Sequence, residues 1–216
     1  MLNYKKPTIW LITVMVIIVV AIIIGISSDP INSEPLVELT KEQIEQVNKA
    51  FMPIVIGDDG KDGINPLSHF LTSYYEKPED IDLAYMLYHF PSEENITEDE
   101  FEALKAHDNW PFGEVTTIEN MPVPIHRIPA NSVDAALKQY MDISLDDVIV
   151  KNPDSLIFLD KYNAYYNFTS DFAPGFFTCI SGKVQGDTVT LYGKDEILTL
   201  KKKDDGYLFI SHIKAE

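Results

Sequence analysis

The strongest local anomaly in this chain is Ile125-His126-Arg127-Ile128-Pro129, which sets a histidine beside an arginine in a sequence with 17 Lys and Arg against 34 Asp and Glu. Arginine offers a planar fork of donors, the geometry that holds a carboxylate or a sugar-linked phosphate. The plainer expectation is that Arg127 pairs with one of the many acids and locks the connection between helices and sheet. A second concentration is aromatic: Tyr162, Tyr165, Tyr166, Phe168, Phe172, Phe176 and Phe177. These rings could line a pocket for an apolar or carbohydrate ligand, or fill a core as aromatic strands more often do. His126, Arg127, Tyr165 and Tyr166 are therefore the ligand-binding candidates, and no catalytic residue is assigned.

Other chemistry is excluded motif by motif. A zinc protease needs two histidines one helical turn apart with a glutamate beside the first, and none of His69, His89, His107, His126 or His212 has that neighbour. There is no Gly-x-Ser-x-Gly elbow to expose a serine on a strained turn, and no glycine loop to cradle a phosphate. Cys179 is the sole cysteine, so no intrachain disulfide forms; its setting between Thr178 and Ile180 reads as a buried small residue and not a nucleophile. The loop Gly57 to Asn65 has three carboxylates, Asp58, Asp59 and Asp62. As a calcium loop starting at Asp58 it puts Gly60 at position three and His69 at position twelve, where a ligand and a bidentate glutamate belong. A solvated turn is expected there, with no metal and no cofactor.

The elements that must carry these residues divide into helices and then strands. Thr40 with Gln43 forms a capping box ahead of Ile44, Val47, Ala50 and Phe51 at helical spacing. Asn65-Pro66 opens a helix with an apolar stripe of Leu67, Phe70, Leu71 and Tyr74. Pro78 begins another, in which Ile81, Ala84, Tyr85 and Tyr88 share a face flanked by Leu83 and Leu87. Thr97 and Glu100 make a second capping box before Phe101 and Leu104. Glu114 to Ala130 is Pro-rich and extended, pinned by Val123, Ile125 and Ile128, and Asn131 or Ser132 caps a helix bearing Val133, Ala136, Leu137 and Tyr140. Beyond Pro153 the period changes to two, first over Tyr162 to Thr169. Phe176–Val184 and Thr188–Tyr192 then form one hairpin, and Ile197–Lys203 and Tyr207–Ile213 another, a meander of four or five strands. Helices followed by an antiparallel meander predict an α+β domain.

The address precedes the domain. Thr8 to Ile26 is an uncharged, Ile- and Val-rich run of 19 residues, about 28 Å long as a helix and matched to a hydrocarbon core of about 30 Å. Lys5 and Lys6 precede it, so the positive-inside bias keeps the N-terminus cytoplasmic and exports the chain beyond Ser27. A cleaved signal peptide is the alternative, with Gly25 and Ser27 spaced for cleavage, but the apolar run exceeds the usual core of such peptides. The expected layout is residues 1–26 as stub and membrane anchor in contact with the bilayer, 27–39 as tether, and 40–216 as the extracytoplasmic domain. Two of the 17 basic residues and no acids lie in residues 1–26, so the remainder has 15 basic against 34 acidic residues, a balance that repels nucleic acid. A cysteine-poor exported domain suits a Gram-positive surface better than a eukaryotic secretory pathway.

The order of helices then meander, closed by Gly206-Tyr207-Leu208-Phe209-Ile210-Ser211-His212, resembles cone-shaped folds similar to nuclear transport factor 2, a likeness of element order that implies no function. The stretches Asn65 to Tyr75, Val123 to Ala130 and Tyr165 to Asp171 resemble surface proteins of Gram-positive bacteria that have no assigned activity, over most of residues 60 to 215. That resemblance implies compartment and domain extent and transfers no site. Two functions stand as expectations: a membrane-anchored binding protein for an envelope component, or an envelope enzyme of hydrolase type. A deep pocket joining a histidine to a carboxylate would favour the enzyme; a filled aromatic core with a shallow surface would favour binding.

Overall fold

The computed structural model describes residues 34–56, 62–92, 95–170, 173–204 and 206–215. The expected anchor Thr8 to Ile26, the tether up to residue 33, Asp58 and Asp59 of the acidic loop, and Phe172 lie outside the described residues. Among the described residues no helix is long and apolar enough to cross a membrane. The architecture is α+β, with helices packed on antiparallel sheets.

The meander forms as the turn residues dictate. Strands β7 (Ser181–Gln185), β8 (Thr188–Tyr192), β9 (Glu196–Lys203) and β10 (Gly206–Lys214) pair antiparallel in chain order. Gly186 at φ 62° and Gly206 at φ 148° supply the backbone that the two hairpin turns need and a side chain would resist. The outer edge is closed by β1 (Val37–Glu38), which pairs with β7, and Leu39 N donates to Gly182 O at 2.8 Å. The sheet thus begins inside the stretch expected to be tether. The strand expected from Phe176 starts only at Ser181, because the segment 173–180 that crosses over from the preceding sheet is irregular, although Ile180 N already donates to Tyr192 O at 2.8 Å.

The aromatic strand β6 (Ala164–Phe168) does not join the meander. It is the centre of a separate sheet between β4 (Ile125–Pro129) and β5 (Ile157–Leu159). A third pair, β2 (Ile54–Ile56) with β3 (Asp62–Ile64), flanks the acidic loop.

Both capping boxes form. Thr40 caps α1 (Lys41–Ala50) and Thr97 caps α3 (Glu98–Lys105), each with its third-position side chain reaching back. Asn65 caps a six-residue 3₁₀ helix, Pro66–Leu71, and its amide also donates to Ala50 O and Met52 O, both at 2.8 Å, tying the end of α1 to that turn. The helix expected after Pro78 splits into a 3₁₀ turn, Pro78–Asp80, and α2 (Leu83–Leu87), restarted by Asp82 as its own cap. Helix α4 (Ala130–Met141) starts one residue before the capping candidates and buries Val133 and Leu137.

Two apolar clusters result. The larger packs α1, α4 and the 3₁₀ helix on the meander, with Phe70 stacked on Phe209 at 5.2 Å between ring centres. The smaller packs Phe101 and Leu104 of α3 on Ile125, Ile157 and Tyr166.

Candidate functional site

The four candidate residues come together on two paired strands, and most of their chemistry is spent internally. Arg127 lies opposite Tyr166 in the β4–β6 ladder, so both side chains converge on Glu100 of α3. Arg127 Nε donates to Glu100 Oε1 at 2.8 Å, and Tyr166 Oη donates to the same oxygen at 2.6 Å. Arg127 Nη2 also donates to Tyr162 O at 3.2 Å, while Glu100 Oε2 accepts from the Thr97 amide at 3.1 Å. Burial pushes the Glu100 carboxyl up, but the bonds from Tyr166, Thr97 and Arg127 and the guanidinium charge outweigh it and hold the group below the usual carboxylate range. The Tyr166 hydroxyl is driven above its ordinary value by burial and by the adjacent carboxylate. This is the lock between helices and sheet.

His126 is similarly engaged. Its Nε2 faces Thr169 O at 2.8 Å, which fixes the proton there, so Nδ1 accepts from Ser92 Oγ at 3.0 Å. Tyr165 differs: half-buried, it packs its ring on Phe158 at 4.7 Å and lines a cleft of about 480 Å³. Asp82, Tyr85, Tyr88, Asn109, Asn152, Asp154 and Asn167 share that lining.

A larger cleft of about 870 Å³ lies across Tyr85 and Tyr88, which line both. Its walls are Leu71 to Tyr74 at the end of the 3₁₀ helix, Tyr85 in α2 with Tyr88 and His89 after it, and the crossing segment 173–180; Lys194, Asp195, Glu196 and His212 complete the lining. Large apolar side chains stand open here: Tyr85 is 60% exposed, Phe176 64% and Ile180 60%. Helical spacing places Tyr85 and Tyr88 on the buried face of their helix. The structure corrects this, burying Leu83, Met86 and Leu87 instead, because Asp82 restarts the helix and the i, i+4 leucines take the core.

The crossing segment is held tightly. A Cβ on Gly175 would sit 2.5 Å from Ser68 O and 2.6 Å from Leu71 C, so only glycine lets the chain press on the 3₁₀ helix. Asn48 grips Cys179 at both ends, accepting from its amide at 2.7 Å and donating to its carbonyl at 3.0 Å. Cys179 is buried, its thiol pushed up to about 11 mainly by burial, as expected of a packing residue.

His212 reaches the cleft through a β-bulge. Register shifts between Phe209 and Ser211, so the inward face passes from Tyr207 and Phe209 to His212 instead of Ser211. Its Nδ1 faces Ser73 O at 2.9 Å and its Nε2 faces Glu196 Oε2 at 2.9 Å. Both partners can be acceptors, so either the ring donates from both nitrogens or the glutamate supplies the shared proton. His212 has no nitrogen left for a ligand, and its side chain is 3% exposed against 19% for Glu196. His89 Nε2 accepts from the Ala173 amide at 2.9 Å.

Sequence reasoning missed this cleft, since its parts come from a bulge, a 3₁₀ end and an irregular crossing. Among the described residues no three His, Cys, Asp or Glu side chains gather to hold a metal ion. No family model matches the chain, and neither a curated protein nor a solved structure matches it.

Proposed function

We propose that this protein is anchored in the cell membrane of a Gram-positive bacterium by Thr8 to Ile26, holds its α+β domain outside, and binds an envelope component in the aromatic cleft. The observation that carries this reading is the convergence of Tyr85, Phe176 and Ile180, each at least 60% exposed, on one cleft of about 870 Å³. Large apolar side chains exposed together around one concavity are the pattern of a binding cleft. Lys5 and Lys6 before the apolar run support the orientation. The likeness to cone-shaped folds similar to nuclear transport factor 2 is part of the proposal, resting on helices packed over one antiparallel sheet.

The His212–Glu196 pair favours the second reading, an envelope enzyme, because a histidine and a carboxylate do meet in a cleft. Binding is preferred because both ring nitrogens are engaged and the ring is buried. The test uses the full chain in nanodiscs with isolated cell-envelope fragments. The binding reading expects retention that Tyr85→Ala with Phe176→Ala abolishes, and fragments unchanged after hours. Equal retention of that variant, or fragment cleavage lost in Glu196→Gln, overturns it. Protease added to intact cells should remove residues 40–216; protection until lysis would reverse the topology.

A further inference from the structure

We infer that the two clefts form one groove for an uncharged glycan chain, with Tyr85 and Tyr88 as the platform between its two halves; this rests on the binding reading above. Both tyrosines line the larger and the smaller cleft, so an extended ligand can continue from one to the other without leaving an aromatic surface. Sugar rings present C–H faces that lie on aromatic faces and hydroxyls that both donate and accept. The polar side chains offered are rich in acceptors: Asp195 and Glu196 in the larger half, Asp154 and Asn152 in the smaller.

Other ligand classes fit less well. Lys194 is the one lysine or arginine among the described lining residues, in a chain of net charge −17, so a polyanion is repelled. A cationic ligand would meet Lys214 Nζ at the Tyr74 ring, 5.3 Å from its centre. An extended peptide would seek a free strand edge, and beside the cleft β10 is already bridged: Tyr75 N donates to His212 O at 2.7 Å and His212 N to Tyr75 O at 2.9 Å.

The experiment titrates N-acetylglucosamine oligomers of two to six units against the full chain in nanodiscs by calorimetry. Affinity should rise at least tenfold from the dimer to the hexamer. Tyr85→Ala should weaken the hexamer about tenfold, since it removes a ring that lines both halves of the groove. Phe176→Ala should weaken every length, and Asn152→Ala with Asp154→Ala only the longer ones. Melting temperature confirms that these exposed positions leave the fold intact. Affinity independent of length, or an unchanged hexamer affinity in Tyr85→Ala, overturns the groove. Retention on envelope fragments competed by polyphosphate, a quaternary ammonium salt or a peptide, and not by the hexamer, overturns the glycan while sparing the binding reading; no retention at all overturns the binding reading itself.

Discussion

His69 makes this fold acid-sensitive in a way that can be isolated. The ring is buried in the 3₁₀ helix Pro66–Leu71, lies 5.1 Å from the Phe90 ring, and its Nε2 has no hydrogen-bond partner. Burial first, and the charge of neighbouring His89 second, lower its pKa from 6.5 to about 4. Above pH 6.5 the ring is neutral in both folded and unfolded chains and adds no pH dependence. Between 6.5 and about 4 the unfolded chain takes up a proton that the folded one refuses, so stability falls as pH falls. Below about 4 both states are protonated and the loss is complete. At about 1.4 kcal/mol for each tenfold change in proton affinity, the full loss is about 3 kcal/mol.

Carboxylates also titrate in this range, so the assay compares two proteins. Urea unfolding of the wild type and His69→Leu is followed from pH 7.5 to 4. Leucine fills similar space and removes an unpartnered polar atom, so the variant should match or exceed the wild type at pH 7.5. By pH 4 it should have lost about 3 kcal/mol less. If the two stability curves run parallel, His69 is charged in the folded state or solvated, and the reading of it as a buried neutral ring is wrong.

Arg127→Met strips the Glu100 carboxylate of its counter-charge in a buried setting and should cost about 3–5 kcal/mol in urea unfolding; adding Glu100→Gln should recover more than half, and no recovery would mean that Arg127 acts by packing alone. Gly175→Ala forces a methyl against backbone at 2.5–2.7 Å and should cost about 1–3 kcal/mol by thermal melting, against a neutral result if the crossing segment were loose. At pH 8 a thiol reagent should label Cys179 at least a hundredfold faster in urea than in the folded protein, because a thiol pushed up to about 11 is about a thousandth ionised and buried besides. Comparable rates would place the sulfur at the surface.

What could be read from the sequence depends on how far each signal reaches along the chain. The boxes at Thr40 and Thr97 are local, three residues apart, and form as expected. The meander is nearly as local, since a short turn leaves a strand no partner but the next. The alternation in β6 correctly signals a strand, but period two carries no information on the neighbour, so the sheet it joins differs from the one expected. Glu100 shows the same limit on one side chain. Its Oε2 obeys the local capping rule with Thr97, while its Oε1 gathers Arg127 and Tyr166 from 27 and 66 residues away. The expectation that Arg127 pairs with an acid holds; which acid needs the fold.

The cleft was invisible for a deeper reason than distance. Periodicity identifies residues that a regular element buries, so it assigns every aromatic at helical or strand spacing to the core by default. Tyr85 and Tyr88 fit a helical face as well as Leu83 and Leu87 do, and only the restart at Asp82 decides that the leucines turn inward. His212 fits the outward face of β10 until one extra residue at the bulge reverses it. Each departure from regularity moves a side chain to the face that the pattern denied it. Two such departures and one glycine contact bring Tyr85, Phe176 and His212 to the same opening. Leaving Tyr85 and Phe176 uncovered forgoes about 1.5–3 kcal/mol of burial apiece. Phe70, Phe101 and Phe209 are packed to near-zero exposure, whereas Tyr85, Phe176 and Ile180 stand open around one cleft, and the ligand proposed for that cleft would recover the burial they forgo.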